Sequence, residues 1–159
     1  DLGSGSGLPY DLHLVNKGFQ IQGIDISEKH VEMARSNVPG AKYVLGDFLN
    51  HPTPNDHFDA TIALYSLFHT PRESHARTVR GVASTLRSKG RLLITVGIED
   101  VPYKTKTMFC GSAMAWSHFD ARKSISIITN NGFTVLETAD ERDFGGTEKH
   151  LWVLAEKTT

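Results

Sequence analysis

Three glycines at every second position, Gly3, Gly5 and Gly7 in "DLGSGSG", stand ahead of two carboxylates, Asp25 in "GIDIS" and Asp47 in "GDF". Glycine adopts positive φ at little cost and lets a ligand approach the backbone closely. A glycine turn leading into a helix therefore suits a nucleotide or nucleoside. A carboxylate about 20 residues further on is placed to accept hydrogen bonds from ribose hydroxyls. Asp47, after the next strand, would reach another part of the same nucleoside. The plainer alternatives are that the glycines only shape a strand-to-helix turn and that Asp47 is a turn residue after Gly46. A nicotinamide dinucleotide needs G-x-G-x-x-G, whose third glycine allows close helix packing. Here the pattern is G-x-G-x-G, and Leu8 stands where that third glycine would be.

These residues must be held by alternating helices and strands. Residues 8–17 read as a short helix closed by Gly18. "FQIQGIDIS" alternates apolar and polar residues into a strand ending at Asp25. Ser27 is an N-cap, with Glu28 in the first turn and Val31, Ala34 and Val38 facing the core, and Pro39-Gly40 stops that helix. "AKYVLGDF" gives a short strand and a turn, "HPTPNDH" a loop, and "FDATIALYSLF" an apolar run suited to a buried central strand. Thr70, Pro71 and Glu73 spell a capping box with proline at the first helical position. His75, Val79, Val82, Ala83 and Leu86 keep helical spacing, and Gly90 terminates that helix. "GRLLITVG" is another buried strand, residues 98–119 show no clear period, and Asp120 caps a helix that carries Ile125 and Ile128 and ends at Asn131-Gly132. "FTVLETA" and "HLWVLAEK" close the chain as a hairpin around "DERDFGGTE". Such alternation implies a parallel sheet with helices on both faces and a ligand beyond the carboxyl ends of its strands.

With 159 residues, 39% hydrophobic and 22% charged, the chain fits one domain of ordinary soluble composition. A net charge of -1 recruits neither nucleic acid nor an anionic membrane. The arginines from Arg72 through Arg77, Arg80 and Arg87 to Arg91 read as the solvated face of a helix. The single Cys110 excludes an internal disulfide and suits a reducing, cytoplasmic setting. No apolar run is long enough to cross a bilayer. Because a strand normally precedes a glycine turn of this kind, the chain reads as a fragment that lacks an N-terminal strand and helices.

At this point the sequence resembles the class I S-adenosylmethionine-dependent methyltransferases. "DLGSGSG" is similar to their D/E-x-G-x-G-x-G motif, "GIDIS" to their second-strand acidic motif and "GDF" to their adenine-site motif. "FDATIALYSLFH" and "LRSKGRLLITVG" resemble the fourth strand and the approach to the fifth, and the likeness runs over nearly the whole chain. It implies a Rossmann-like, doubly wound, mostly parallel sheet of seven strands, with an antiparallel last strand inserted beside the fifth by a closing hairpin. It also implies S-adenosyl-L-methionine as methyl donor. Gly3, Ser4, Gly5 and Gly7 would lie under the methionine portion, with Asp1 either orienting the backbone or touching the donor. Asp25 would hold the ribose, Ile26 would lie against the adenine, Asp47 and Phe48 would contact its edge and face, and Leu64 and Tyr65 would border the donor.

The donor is already activated, so methyl transfer needs an oriented nucleophile and dry surroundings more than protein chemistry. A general base helps only where the acceptor carries a proton of high pKa. His69, after the fourth strand, and His118 in "WSHFD" are the candidate catalytic bases, against surface or structural roles for both. Tyr65 and Trp116 are candidates for lining an acceptor pocket, Trp116 alternatively for loop packing. Relatives that methylate nucleobase or glutamine amines carry an N-P-P-Y-like motif where this chain reads "LYSL", and no zinc-ligand cluster or basic-aromatic patch is present. The implied acceptor is a small molecule, not nucleic acid or a membrane. Two other readings stand beside this one: a non-catalytic methyltransferase-like binding domain, and an NAD(P)-dependent oxidoreductase, which Leu8 disfavours.

Overall fold

The computed structural model describes residues 1–109, 112–141 and 150–158; Cys110 and most of "DERDFGGTE" lie outside them. The chain divides into two compact units, one of Asp1–Thr53 with Ile62–Leu64, the other of Pro54–Thr61 with Tyr65–Thr159.

In the first unit, helix α1 (Tyr10–Asn16) leads to strand β1 (Gln22–Asp25), helix α2 (Glu28–Asn37) and strand β2 (Lys42–Leu45). β1 and β2 pair in parallel, and Leu2 forms an isolated parallel bridge to Ile24 on the other side of β1. The predicted cap of α2 is present: Ser27 Oγ accepts the His30 amide at 3.3 Å. Val31, Ala34 and Val38 are buried with Tyr43, and Leu12 and Val15 of α1 pack against them. Asp11 is fully buried and accepts the Tyr43 hydroxyl at 2.8 Å. Burial pushes the Asp11 carboxyl above its usual range, and the Tyr43 bond works in the opposite direction.

The second unit is built on a four-stranded sheet in the order β3-β4-β8-β7, comprising β3 (Phe58–Ala63), β4 (Leu86–Gly97), β7 (Phe133–Asp140) and β8 (His150–Lys157). β8 runs antiparallel to both β4 and β7, which is the inserted closing strand that the sequence implies. Helices α3 (His75–Thr85) and α4 (Ala121–Asn130) pack on each other, α4 also on β7 and β4. The Asp120 cap is present at 2.7 Å to the Lys123 amide, and Gly132 ends the helix region at φ +98.

Five expectations need correction. The apolar run at "FDATIALYSLF" is not buried throughout: its strand covers only Phe58–Ala63, Asp59 and Ala60 are exposed while Thr61, Ala63 and Leu64 are buried, and the Ile62 carbonyl accepts the Leu2 amide at 2.9 Å. The capping box does not form. Thr70 instead donates its hydroxyl to the Leu67 carbonyl at 2.7 Å, closing one short 3-10 turn, and a second 3-10 turn over Arg72–Ser74 precedes α3. Gly90 does not end α3: the helix stops at Thr85, and Leu86 already begins β4. Residues 98–119 are not irregular but contain strands β5 (Val101–Phe109) and β6 (Ser112–His118), an antiparallel pair whose register shifts hide the period of two. The arginine run is likewise not one helical face, since Arg72 pairs with Asp100, Arg87 with Asp59 and Arg91 with Glu156.

Candidate functional site

The glycine turn of the first unit has a fixed path. Gly3, Gly5 and Gly7 all have positive φ, at 77, 53 and 74 degrees. The amides of Gly3 and Ser4 both reach the Ile24 carbonyl, at 2.8 and 3.1 Å, and the Gly7 amide closes on the Ser4 carbonyl at 2.9 Å. Gly7 is required twice, because a Cβ there would also stand 2.7 Å from Tyr43 Oη and 2.9 Å from Val38 Cγ2. Beside Gly5 an added Cβ would meet nothing within 4 Å, so only the backbone demands glycine and the turn has open space at its crest.

Asp25 is buried to 8% exposure and binds that crest: Oδ2 accepts the Gly5 amide and Oδ1 the Ser27 amide, both at 2.8 Å. His30 Nδ1 stands 3.5 Å from the same Oδ1, a neighbour the sequence did not single out. A carboxylate has about four lone-pair directions, so acceptor capacity remains for hydroxyls. Ile26 leaves its side chain 76% exposed, an apolar surface immediately after the acid. Asp47 accepts the Leu49 amide at 2.9 Å and Asn50 Nδ2 at 2.8 Å, which fixes the turn and holds the adjoining Phe48 half-buried. The Asp1 carbonyl takes the Ile24 amide at 2.9 Å, so Asp1 orients backbone here. Leu64 is buried. Ser4 Oγ is buried with no hydrogen-bond partner among the described residues. An unsatisfied buried hydroxyl at a glycine turn with open space at its crest fits a ligand that carries polar groups.

The remaining candidates belong to the second unit. Tyr65 has φ +55, an uncommon backbone for an aromatic residue, and its amide is held by Thr95 Oγ1 at 2.6 Å. Its hydroxyl donates to Glu141 Oε1 at 2.9 Å, and its ring stands edge-on to Phe68, His150 and Trp152. His69 Nδ1 lies 2.8 Å from the Ala115 carbonyl. A carbonyl only accepts, so Nδ1 carries the hydrogen and Nε2 is left as the basic nitrogen. Burial holds the His69 pKa below its usual value; the Ala115 carbonyl opposes this, while His150 and His118 reinforce it. Trp116 tilts against His69 at 5.5 Å. His118 has Nδ1 3.3 Å from the Phe119 carbonyl, and its ring covers Gly97, where a Cβ would collide with Nδ1.

Tyr65, His69 and His118 therefore converge around Phe68, together with two residues that sequence reasoning missed, Glu141 and His150. No sequence signal marked this pair, because it meets only through the β7–β8 ladder, which pairs Asp140 with Leu151 and puts Glu141 and His150 next along it. Among the described residues no group of three or more His, Cys, Asp or Glu side chains is arranged to hold a metal ion. Nor is any described helix long and apolar enough to cross a membrane.

This fold and glycine turn define a class I methyltransferase domain. Residues 1–94 match the family model described as a methyltransferase domain, and the chain belongs to that family, whose methyl donor is S-adenosylmethionine. It is 34% identical over 100 residues to 27-O-demethylrifamycin SV methyltransferase of Amycolatopsis mediterranei, covering 59% of this chain and 36% of that protein. It is 27% identical over 153 residues to the methyltransferase GfsG of Streptomyces halstedii, covering 88% of this chain and 54% of that protein. The chain thus spans about a third to a half of the length of these curated relatives. Among solved structures, a SAM-dependent methyltransferase of Methanosarcina mazei shares the fold at TM-score 0.84 and 16% identity, over 99% of this chain and 91% of that one. The 1,6-didemethyltoxoflavin-N1-methyltransferase of Burkholderia thailandensis shares it at TM-score 0.74 and 17% identity, over 99% and 70%.

Proposed function

We propose that this protein transfers a methyl group from S-adenosylmethionine to a small-molecule acceptor in the cytoplasm. The observation that carries the reading is the Asp25 carboxylate locked onto the crest of a turn of three positive-φ glycines. In this assignment the amides and the unsatisfied Ser4 hydroxyl hold the methionine portion of the donor, beneath Gly3, Gly5 and Gly7. Asp25 takes the ribose hydroxyls on its remaining lone pairs, Ile26 and Phe48 flank the adenine, and Asp47 orders the turn that carries Phe48. Leu64 and Tyr65 border the donor at the end of β3. His69 and His118 serve the acceptor. The bound donor supplies an activated methyl, and the residues of this chain position the acceptor and keep water out.

Calorimetry of the full-length protein with S-adenosylhomocysteine and with NAD tests the reading. Binding of the first and not the second is the expected result. Binding of NAD alone, or of neither, refutes it.

A further inference from the structure

Asp11 and Tyr43, to which the assignment above gives no role, lie beneath the glycine turn of the first unit. Asp11 stands in the first turn of α1, is fully buried, and accepts the Tyr43 hydroxyl on Oδ2 at 2.8 Å. The Tyr43 ring backs the turn. A Cβ at Gly7 would stand 2.7 Å from its Oη, and one at Gly23 would stand 2.6 Å from Cδ1 and 2.8 Å from Ser4 Cβ. The backbone of the turn is gripped on two sides. On the strand side the Ile24 carbonyl takes the Gly3 and Ser4 amides, and Asp25 takes the Gly5 amide. On the helix side the Gly7 carbonyl accepts the Leu12 amide at 3.1 Å, and the Ser6 carbonyl accepts Asn37 Nδ2 at 3.0 Å. Leu12 follows Asp11 directly, so the bond that ties Asp11 to β2 also fixes the amide that holds Gly7. Burying a carboxyl with a single partner is unfavourable, and Asp11 Oδ1 has no partner among the described residues. An apolar side chain would avoid that cost; what the carboxyl adds is a directed bond.

We infer that Asp11 and Tyr43 are positioning residues for the methyl donor, their hydrogen bond holding the helix end of the glycine turn as Asp25 holds its strand end. The inference rests on the methyltransferase reading and deepens it. Both side chains are buried and act through the backbone of the turn. Glycines at positive φ bring no side chains to pack, so the path of the turn has to be imposed by its neighbours. Without the Tyr43 hydroxyl, the first turn of α1 is free to shift, and the Gly7 carbonyl moves with the Leu12 amide. Ser4 moves too, because its Cβ and the Tyr43 ring approach the same point over Gly23. The amides and the Ser4 hydroxyl then no longer converge on one place, and a ligand that needs all of them binds less tightly. Burial pushes the Asp11 carboxyl up and so favours the neutral acid. A carbonyl oxygen is then enough for the Tyr43 hydroxyl, and an amide side chain should replace the acid.

The test measures S-adenosylhomocysteine affinity by calorimetry and stability by urea titration in the full-length protein, at a temperature where every variant is folded. Tyr43→Phe keeps the ring and removes the bond, and Asp11→Leu removes it from the other side. Both should weaken binding about tenfold. Asp11→Asn keeps a carbonyl for the Tyr43 hydroxyl and should hold affinity within about twofold. Ile128→Ala opens a cavity at a buried position of α4 and should lower stability while leaving affinity unchanged, which separates positioning from loss of stability. Unchanged affinity in Tyr43→Phe overturns the inference, whatever happens to its stability. So does an Asp11→Asn variant as weak as Asp11→Leu, or an equal loss of affinity in Ile128→Ala. If Asp11→Leu does not fold, Tyr43→Phe and Asp11→Asn decide the matter between them. If S-adenosylhomocysteine fails to bind the unmodified protein, it is the methyltransferase reading that fails.

Discussion

The carboxylate of Asp25 binds the amide of Gly5 at 2.8 Å across a sequence separation of 20 residues, so the end of β1 and the crest of the glycine turn are one object. This gives Asp25 a double duty, to hold the turn and to offer its remaining lone pairs to a ligand. Asp25→Ala removes both. S-adenosylhomocysteine should bind at least tenfold more weakly, from about 1.5–3 kcal/mol of lost charged hydrogen bonding. The melting temperature should fall as well, since the Gly5 and Ser27 amides lose their acceptor. Calorimetry beside thermal melts checks this, and unchanged affinity in a folded variant removes Asp25 from the site.

The glycines should separate by mechanism. Gly7→Ala meets an unfavourable φ of +74 and a Cβ only 2.7 Å from Tyr43 Oη, beside the buried Val38. It should cost about 3 kcal/mol or more, combining backbone strain with overpacking. Gly5→Ala has the same backbone handicap at φ +53 but open space, and should cost about 1–2 kcal/mol. Its methyl would nevertheless stand at the crest where the donor is proposed to lie, so cofactor affinity should fall while the fold survives. Equal unfolding free energies in urea titrations of the two variants would contradict the contrast.

His75 makes the fold sensitive to acid. The side chain is buried at the start of α3, and burial lowers its pKa from 6.5 to about 4, with the carbonyls of Thr70 and Leu67 acting against that shift. The unfolded chain therefore binds a proton at higher pH than the folded one does. Stability is full above about pH 6.5 and is lost as pH falls through the window down to about 4, by up to about 3 kcal/mol in total. His69, also lowered, contributes with the same sign. Denaturant titrations at pH 7 and pH 4.5 should show the loss, and His75→Leu should flatten the slope between them.

What the sequence made legible was local. Ser27 and Asp120 declare their caps because a side-chain acceptor and the amide three residues later are fixed by the helix itself. The glycine turn and Asp25 were legible because each needs a residue type that few positions tolerate. Thr70-Pro71-Glu73 spelled the same kind of local signal and failed. The Leu67 carbonyl claims the threonine hydroxyl, and no rule of spacing includes that competitor. The β5–β6 ladder escaped notice because its register shifts between Val101 and Lys104 and again between Lys106 and Phe109, which breaks the alternation a reader counts. Glu141 and His150 lie nine residues apart in the chain and meet only through the β7–β8 register. Their chemistry is visible once pairing is known and is silent before that.

His69 is where the structure sharpens the sequence reading most. Its Nδ1–H is committed to the Ala115 carbonyl at 2.8 Å, and its lowered pKa keeps the ring neutral through the physiological range. A neutral ring with Nε2 as acceptor is suited to receiving a hydrogen bond from the methyl acceptor and poorly suited to retaining a proton. His69→Ala should therefore raise KM and lower kcat/KM by about tenfold, the worth of one neutral hydrogen bond, with S-adenosylhomocysteine affinity within about twofold. If His69→Ala changes only the melting temperature and leaves both kinetic constants alone, the ring is a packing residue between Phe68 and Trp116.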